Sequence, residues 1–219
     1  MKKFFTVTLM TLIFLVDSVS AQLPVSEEEM SQILGNTRTV GKTDQIILVV
    51  DHSLSLWNEV NGVWKMDFET YCGYGKNGLS HSRWAGDKTT PIGSFPILYA
   101  FGKANNPGTE MEYRKITPYS YLSSEYSTYN QWVESAYGVS GEHLIDYYQY
   151  KYAMNIGYNV NPTEYGRGAA IFLHCKSYDR WWTSGCVSVP EEVMLKLVRK
   201  AHNGEYMIIV PNVEEIFNW

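Results

Sequence analysis

His174 and Cys186 are the residues of this 219-residue chain whose types and surroundings could do nucleophilic chemistry. His174 closes the apolar run Ala169-Ala170-Ile171-Phe172-Leu173, and Cys186 follows Thr183-Ser184-Gly185. A free thiol has a pKa of about 8.5, so it needs a nearby imidazole or helix N-terminus to become a nucleophile at neutral pH. Both are on offer. Ser188 and Glu191 have capping-box spacing, Pro190 fits a first turn, and Val193, Leu197 and Ala201 recur at helical spacing, so a helix is expected to open just beyond Cys186. Gly185 lets backbone approach a substrate, and the amides around Ser184, Gly185 and Cys186 could face a developing oxyanion. Zinc would need His174, Cys175 and Cys186 together, but neighbours on a strand point to opposite faces. A zinc site is therefore not expected.

The elements that must position this pair read as mostly β. Gln45–Val50 is a β-branched apolar run that suits a buried strand. Residues 54–60 and 63–68 flank Asn61-Gly62, a strong hairpin signal because both residues tolerate positive φ. Further strands are expected near 95–101, 152–158, 169–175 and 206–210. Ser26 and Glu29 form a capping box for a short helix ending near Leu34. Residues 105–150 have weak periodicity and read as long loops with one helix near 142–150, and loops of that length in a compact domain tend to be functional. His81 and His143 sit beside no motif and are assigned to loops.

Composition sets outer bounds. A net charge of −5 argues against nucleic-acid binding, which needs a basic footprint. Lys2 and Lys3 precede an apolar run from Phe4 to Val16, and Val19-Ser20-Ala21 offers a small-residue cleavage site. Those are the parts of a secretory signal, and the run is shorter than a membrane span. Residues 1–21 are therefore expected to be removed, leaving no membrane insertion and a protein that works outside the cytoplasm. Residues 22–44 form an N-terminal helix and linker, 45–211 the main domain, and 212–219 a tail. Three cysteines leave at least one thiol unpaired; a Cys72–Cys175 bridge stays open.

Two motifs carry a family resemblance. His174 followed by Thr183-Ser184-Gly185-Cys186-Val187 is one; Gly86-Asp87-Lys88-Thr89-Thr90-Pro91-Ile92-Gly93-Ser94-Phe95 is the other. In this order they resemble the YkuD-type L,D-transpeptidases, over about residues 45–211. The resemblance implies a β-sandwich of mixed sheets with a few short helices and a site under a flap of loops. It also implies that Cys186 attacks the bond before D-Ala in a peptidoglycan stem tetrapeptide, that His174 moves protons, that an amine resolves the thioester, and that no metal or organic cofactor is required. Well-known members carry histidine where Ser184 stands and arginine where Ser188 stands. Arg167 or Arg180 would have to take over the arginine's contact with a substrate carboxylate. Tyr158, Arg167 and Trp182 are the candidate substrate-binding residues, with Tyr129, Asn130, Trp132 and Asn159 as further cleft candidates.

Rival readings are an L,D-carboxypeptidase of the same fold, a sortase-like protein-to-wall transpeptidase, and an inactive wall-binding module. Sortases place a different sequence before the cysteine and an arginine after it. Papain-like wall endopeptidases place cysteine before histidine, the reverse of the order here.

Overall fold

Every residue from Gln45 to Val50 is buried, because this strand, β1, has a core on each face. The computed structural model describes residues 22–219, so the expected signal segment lies outside the described residues. Among the described residues two α-helices, α1 (Glu27–Gly35) and α2 (Glu191–Lys200), accompany the strands. After β1 come β2 (Ser53–Val60), β3 (Val63–Tyr71), β4 (Leu79–Ser80), β5 (Thr90–Pro91), β6 (Gly93–Gly102) and β7 (Tyr113–Lys115). Then follow β8 (Ser120–Ser123), β9 (Trp132–Glu134), β10 (Gly141–His143), β11 (Ala153–Ile156), β12 (Phe172–Cys175), β13 (Val187–Val189) and β14 (Tyr206–Val210). The chain is mostly β, as its patterning implies.

The main sheet is mixed, in the order β13-β12-β11-β6-β14-β1-β2-β3, with β7 added beside β6. It is parallel at β1–β14 and β12–β13 and antiparallel at the other joins along that path. The sheet curls so that Ile47, Val49, Leu56, Met154, Leu173, Val187 and Ile209 share one core, which α2 closes with Met194, Leu197 and Val198. On the opposite face, α1 and the C-terminal turn at 213–218 cover Ile46, Leu48, Val50, Trp57 and Ile208. Residues 22–44 and 212–219 thus pack onto the same sheet as the main domain. Farther along that face, a third core gathers Phe101, Tyr150, Phe172 and Cys186.

The turn chemistry is as expected at two places. Asn61 and Gly62 adopt φ of 55° and 80° and join β2 to β3 with Val60 opposite Val63. Ser26 caps α1 by accepting the Glu29 N–H at 3.2 Å. The helix expected at 142–150 is absent: β10 takes 141–143, and single 3-10 turns take 144–146 and 148–151. Glu142 and His143 are drawn into pairing with Leu122 and Tyr121 on β8, so tertiary pairing wins over local pattern. Among the described residues no helix is long and apolar enough to cross a membrane.

Candidate active site

Strand register brings the pair together. β12 and β13 run parallel with His174 opposite Ser188, so their side chains share a face, and Cys186 lies two residues before Ser188 on that same face. Cys186, His174 and Ser188 line one cavity of about 130 Å3, with Glu142, Tyr147, Tyr150, Arg180, Trp182, Thr183 and Ser184 also in its wall. Cys175 points the other way into the α2 core, and its Sγ donates to Tyr152 O at 3.5 Å. The three cysteines are free thiols, so no Cys72–Cys175 bridge forms.

The helix expected beside Cys186 starts later. Ser188 belongs to β13, its hydroxyl donates to Trp181 O at 2.9 Å, and α2 begins at Glu191 after Pro190 with no side-chain cap. Ser188 is held in the sheet because its N–H and C=O pair with Gly73, each at 2.8 Å. The three strand residues 187–189 and then Pro190 separate Cys186 from the helix, and the dipole, which fades within a turn, does not act on the thiol.

The Thr-Pro motif has a direct role in shaping the site. Thr90 is fully buried, and its Oγ1 donates to Gly185 O at 2.7 Å and lies 3.3 Å from Cys186 O, while it accepts the Gly75 N–H at 2.8 Å. Thr183 Oγ1 donates to Cys186 O at 2.6 Å and accepts the Gly185 N–H at 3.0 Å. The Gly185 amide is thus engaged and not free for an oxyanion; the neighbouring Cys186 amide is the better candidate. Gly185 itself has φ of 141°, and a Cβ there would sit 2.9 Å from Thr89 O and 3.1 Å from the Arg83 guanidinium.

Cys186 and His174 rest uncharged. The His174 Nδ1 lies 2.9 Å from Cys175 O, and a carbonyl only accepts, so Nδ1 carries the proton and Nε2 is left as an acceptor. Burial holds the imidazole down at about 4, partly offset by that carbonyl. Burial likewise pushes the Cys186 thiol up to about 12, and the Glu142 carboxylate adds to the rise. The thiol donates to Ala170 O at 3.2 Å, and Sγ accepts from the Phe172 N–H at 3.4 Å. The Phe172 amide and the Arg83 cation act in the opposite direction.

Three groups in this setting have no local signal in the sequence. Tyr150 lies edge-on to His174, with ring centroids 5.6 Å apart, and its hydroxyl donates to Glu142 Oε2 at 2.7 Å. Arg83 is buried against Gly168 and Gly185, with its nearest carboxylate oxygen, on Asp87, 3.8 Å away. Its Nε and Nη1 have no hydrogen-bond partner among the described residues. Only its place three residues before Gly86-Asp87 ties it to a motif.

Of the expected substrate contacts, Trp182 lines the cavity, as do Arg180 and Ser184, the latter expected as support for an oxyanion. Tyr158 and Arg167 do not. Tyr158 lies under the Arg83 cation and donates to Arg167 O at 2.9 Å, while the Arg167 guanidinium stacks on Trp84 at 4.7 Å. Asn130 works from behind: its amide nitrogen donates to Tyr158 O and Asn159 O, and Oδ1 accepts the Ala170 N–H at 3.0 Å. Ala170, whose carbonyl takes the thiol hydrogen, is thereby held at φ of 57°. Tyr129 accepts the Gly168 N–H at 3.2 Å, and Trp132 bonds Glu134. His81 and His143 pair with Glu215 and Asp146, away from the cavity.

Several solved structures are similar in fold. Bd1075 of Bdellovibrio bacteriovorus is 16% identical with a TM-score of 0.43, over 78% of this chain and 49% of its own. The helical cell shape determining protein Pgp2 of Campylobacter jejuni is 19% identical with a TM-score of 0.41, over 76% and 46%. An L,D-transpeptidase of Stackebrandtia nassauensis is 14% identical with a TM-score of 0.40, over 78% and 58%. The aligned part is therefore about half the length of these proteins. No curated protein sequence matches the chain. The family comparison is the decisive one: residues 44–210 match the L,D-transpeptidase catalytic domain, so the chain belongs to the YkuD family.

Proposed function

We propose that this chain is a cysteine acyltransferase that acts on peptidoglycan stem tetrapeptides, releases D-Ala and passes the acyl group to an amine. The supporting observation is the placement of Cys186 and His174 on one face of β12–β13, in one cavity, with the Nε2 of a neutral imidazole free to accept a proton. In this reading the bound carbonyl displaces the thiol from Ala170 O. Sγ then attacks as the thiol proton passes to His174 Nε2. The tetrahedral oxyanion is met by backbone N–H at Cys186. The C–N bond breaks, the imidazolium returns its proton to the departing D-Ala nitrogen, and a thioester remains. An amine then attacks the thioester, and Sγ leaves as the thiol. A cavity of about 130 Å3 holds only the reacting groups, so the rest of a stem peptide would lie along the rim at Trp182, Arg180 and Tyr147.

The role in the cell follows as part of the same proposal: cell-wall cross-linking or trimming, outside the cytoplasmic membrane after loss of residues 1–21. The test is incubation with purified stem tetrapeptide or a carbapenem, followed by intact-mass measurement. A covalent adduct that is lost in Cys186→Ala is expected. No adduct and no D-Ala release from the unmodified protein would sink the reading.

A further inference from the structure

Glu142 is a carboxylate on the cavity wall without a cation. It lines the same small cavity as Cys186 and His174. Its Oε2 is fixed by the Tyr150 hydroxyl at 2.7 Å, and Tyr150 is in turn clamped against Phe172 and His174. Among the described residues no Lys, Arg or His lies within ion-pair distance of Glu142. Arg180, which also lines the cavity, pairs instead with Asp179 at 3.3 Å and with the Trp182 ring.

The placement runs against the first half-reaction. A negative charge beside Cys186 opposes thiolate formation, and Glu142 is the largest charge that raises this thiol. A group with that cost needs another use. The second half-reaction supplies one, because an alkylamine reaches the site as an ammonium and cannot attack until it loses a proton. A carboxylate held in a desolvated pocket attracts the cation and is a stronger base than a solvated carboxylate; burial raises Glu142 in that sense, and the Tyr150 donor limits the rise.

We propose that Glu142 receives the ammonium of the acceptor amine beside Cys186 and takes its proton, directing the acyl group to amines rather than to water. The inference rests on the acyl-transfer reading above. The balance is simple. The ammonium gives a proton to the Glu142 carboxylate, and the amine nitrogen forms a bond to the thioester carbon. The C–S bond breaks, and the Sγ electron pair takes the second nitrogen proton by way of His174 Nε2. Glu142 then returns its proton to solvent. The products are an amide, a free thiol and one released proton.

The experiment compares two acceptors on the acyl-enzyme formed from stem tetrapeptide. Ethylamine is protonated at neutral pH, whereas hydroxylamine is already neutral and does not need the carboxylate. Product ratios, amide or hydroxamate against hydrolysed tripeptide, are read by mass spectrometry for the unmodified protein and Glu142→Gln. Gln keeps an oxygen for the Tyr150 hydroxyl, so the fold is retained, as circular dichroism will verify. In Glu142→Gln the ethylamine ratio is expected to fall by about a hundredfold, the low end for general-base catalysis, while the hydroxylamine ratio holds within about twofold. If both ratios fall together, or neither falls, the proposal is overturned. If Glu142→Gln does not fold, Glu142→Asp takes its place with the same pattern and a smaller fall. Absence of any acyl-enzyme in the unmodified protein overturns the acyl-transfer reading instead, before any variant is made.

Discussion

Thr90→Val isolates the hydroxyl that ties the Thr-Pro motif to the cysteine loop. Valine has nearly the same shape, so no cavity opens, and what is lost is polar. The Gly75 N–H loses its acceptor at 2.8 Å and Gly185 O loses its donor at 2.7 Å, both in buried surroundings. Cys186 O keeps its bond from Thr183. Two unsatisfied buried groups at about 1–3 kcal/mol each put the loss at roughly 2–6 kcal/mol. A domain of this size holds about 5–15 kcal/mol, so the variant should fold but stand close to its limit. Urea unfolding gives the first number. The second is the acylation rate, read by intact mass with a carbapenem under conditions where circular dichroism shows a native variant. It should drop at least about tenfold, because 1.4 kcal/mol of misplacement in the transition state suffices. A stability change under about 1 kcal/mol with an unaltered acylation rate would refute the idea that Thr90 holds this loop.

Gly185→Ala places a Cβ 2.9 Å from Thr89 O at a φ that side chains resist, so thermal or urea unfolding should show a loss of about 1–3 kcal/mol. His174 makes stability depend on pH. Its folded value of about 4 lies below the unfolded 6.5, so the unfolded chain binds the proton first; stability is full above pH 6.5 and about 3 kcal/mol drains away as pH falls towards 4. Urea midpoints between pH 7 and 4 should fall for the unmodified protein and fall less steeply for His174→Gln. Arg83→Met removes a buried cation with two unpartnered nitrogens, so unfolding should show equal or greater stability while acylation slows; loss of both together would count against its electrostatic role.

What could be read from sequence follows the physics of each signal. β1 and the β2–β3 hairpin were legible because a six-residue apolar run and an Asn-Gly turn carry their own instructions. His174 and Cys186 stood out as a candidate pair because one motif holds both, and strand register then supplies their common face. The cap at Ser188 was misread because a capping-box spacing is a local statement, and pairing of Ser188 with Gly73 is not. Glu142 and Tyr150 could not be found at all. They come from a segment with weak periodicity and reach Cys186 only through the β8–β10 pairing and the turn that packs Tyr150 on Phe172. Arg83 is invisible for a related reason: its neighbours Gly168 and Gly185 lie far along the chain.

The site's electrostatics bear on the course of the proposed reaction. A thiol at about 12 beside an imidazole at about 4 does not form a resting ion pair, since neither partner holds charge near neutrality. In the proposed acyl transfer, thiolate and imidazolium would therefore arise during attack, and the groups that matter would be those that favour that charge separation as it develops. On one side stands Arg83, whose cation lowers the cost of negative charge on Sγ. On the other stands Glu142, which raises it. For acylation alone that charge is a cost; the proposed amine step, in which a positive charge arrives, turns it to use, while Glu142 also accepts the buried Tyr150 hydroxyl.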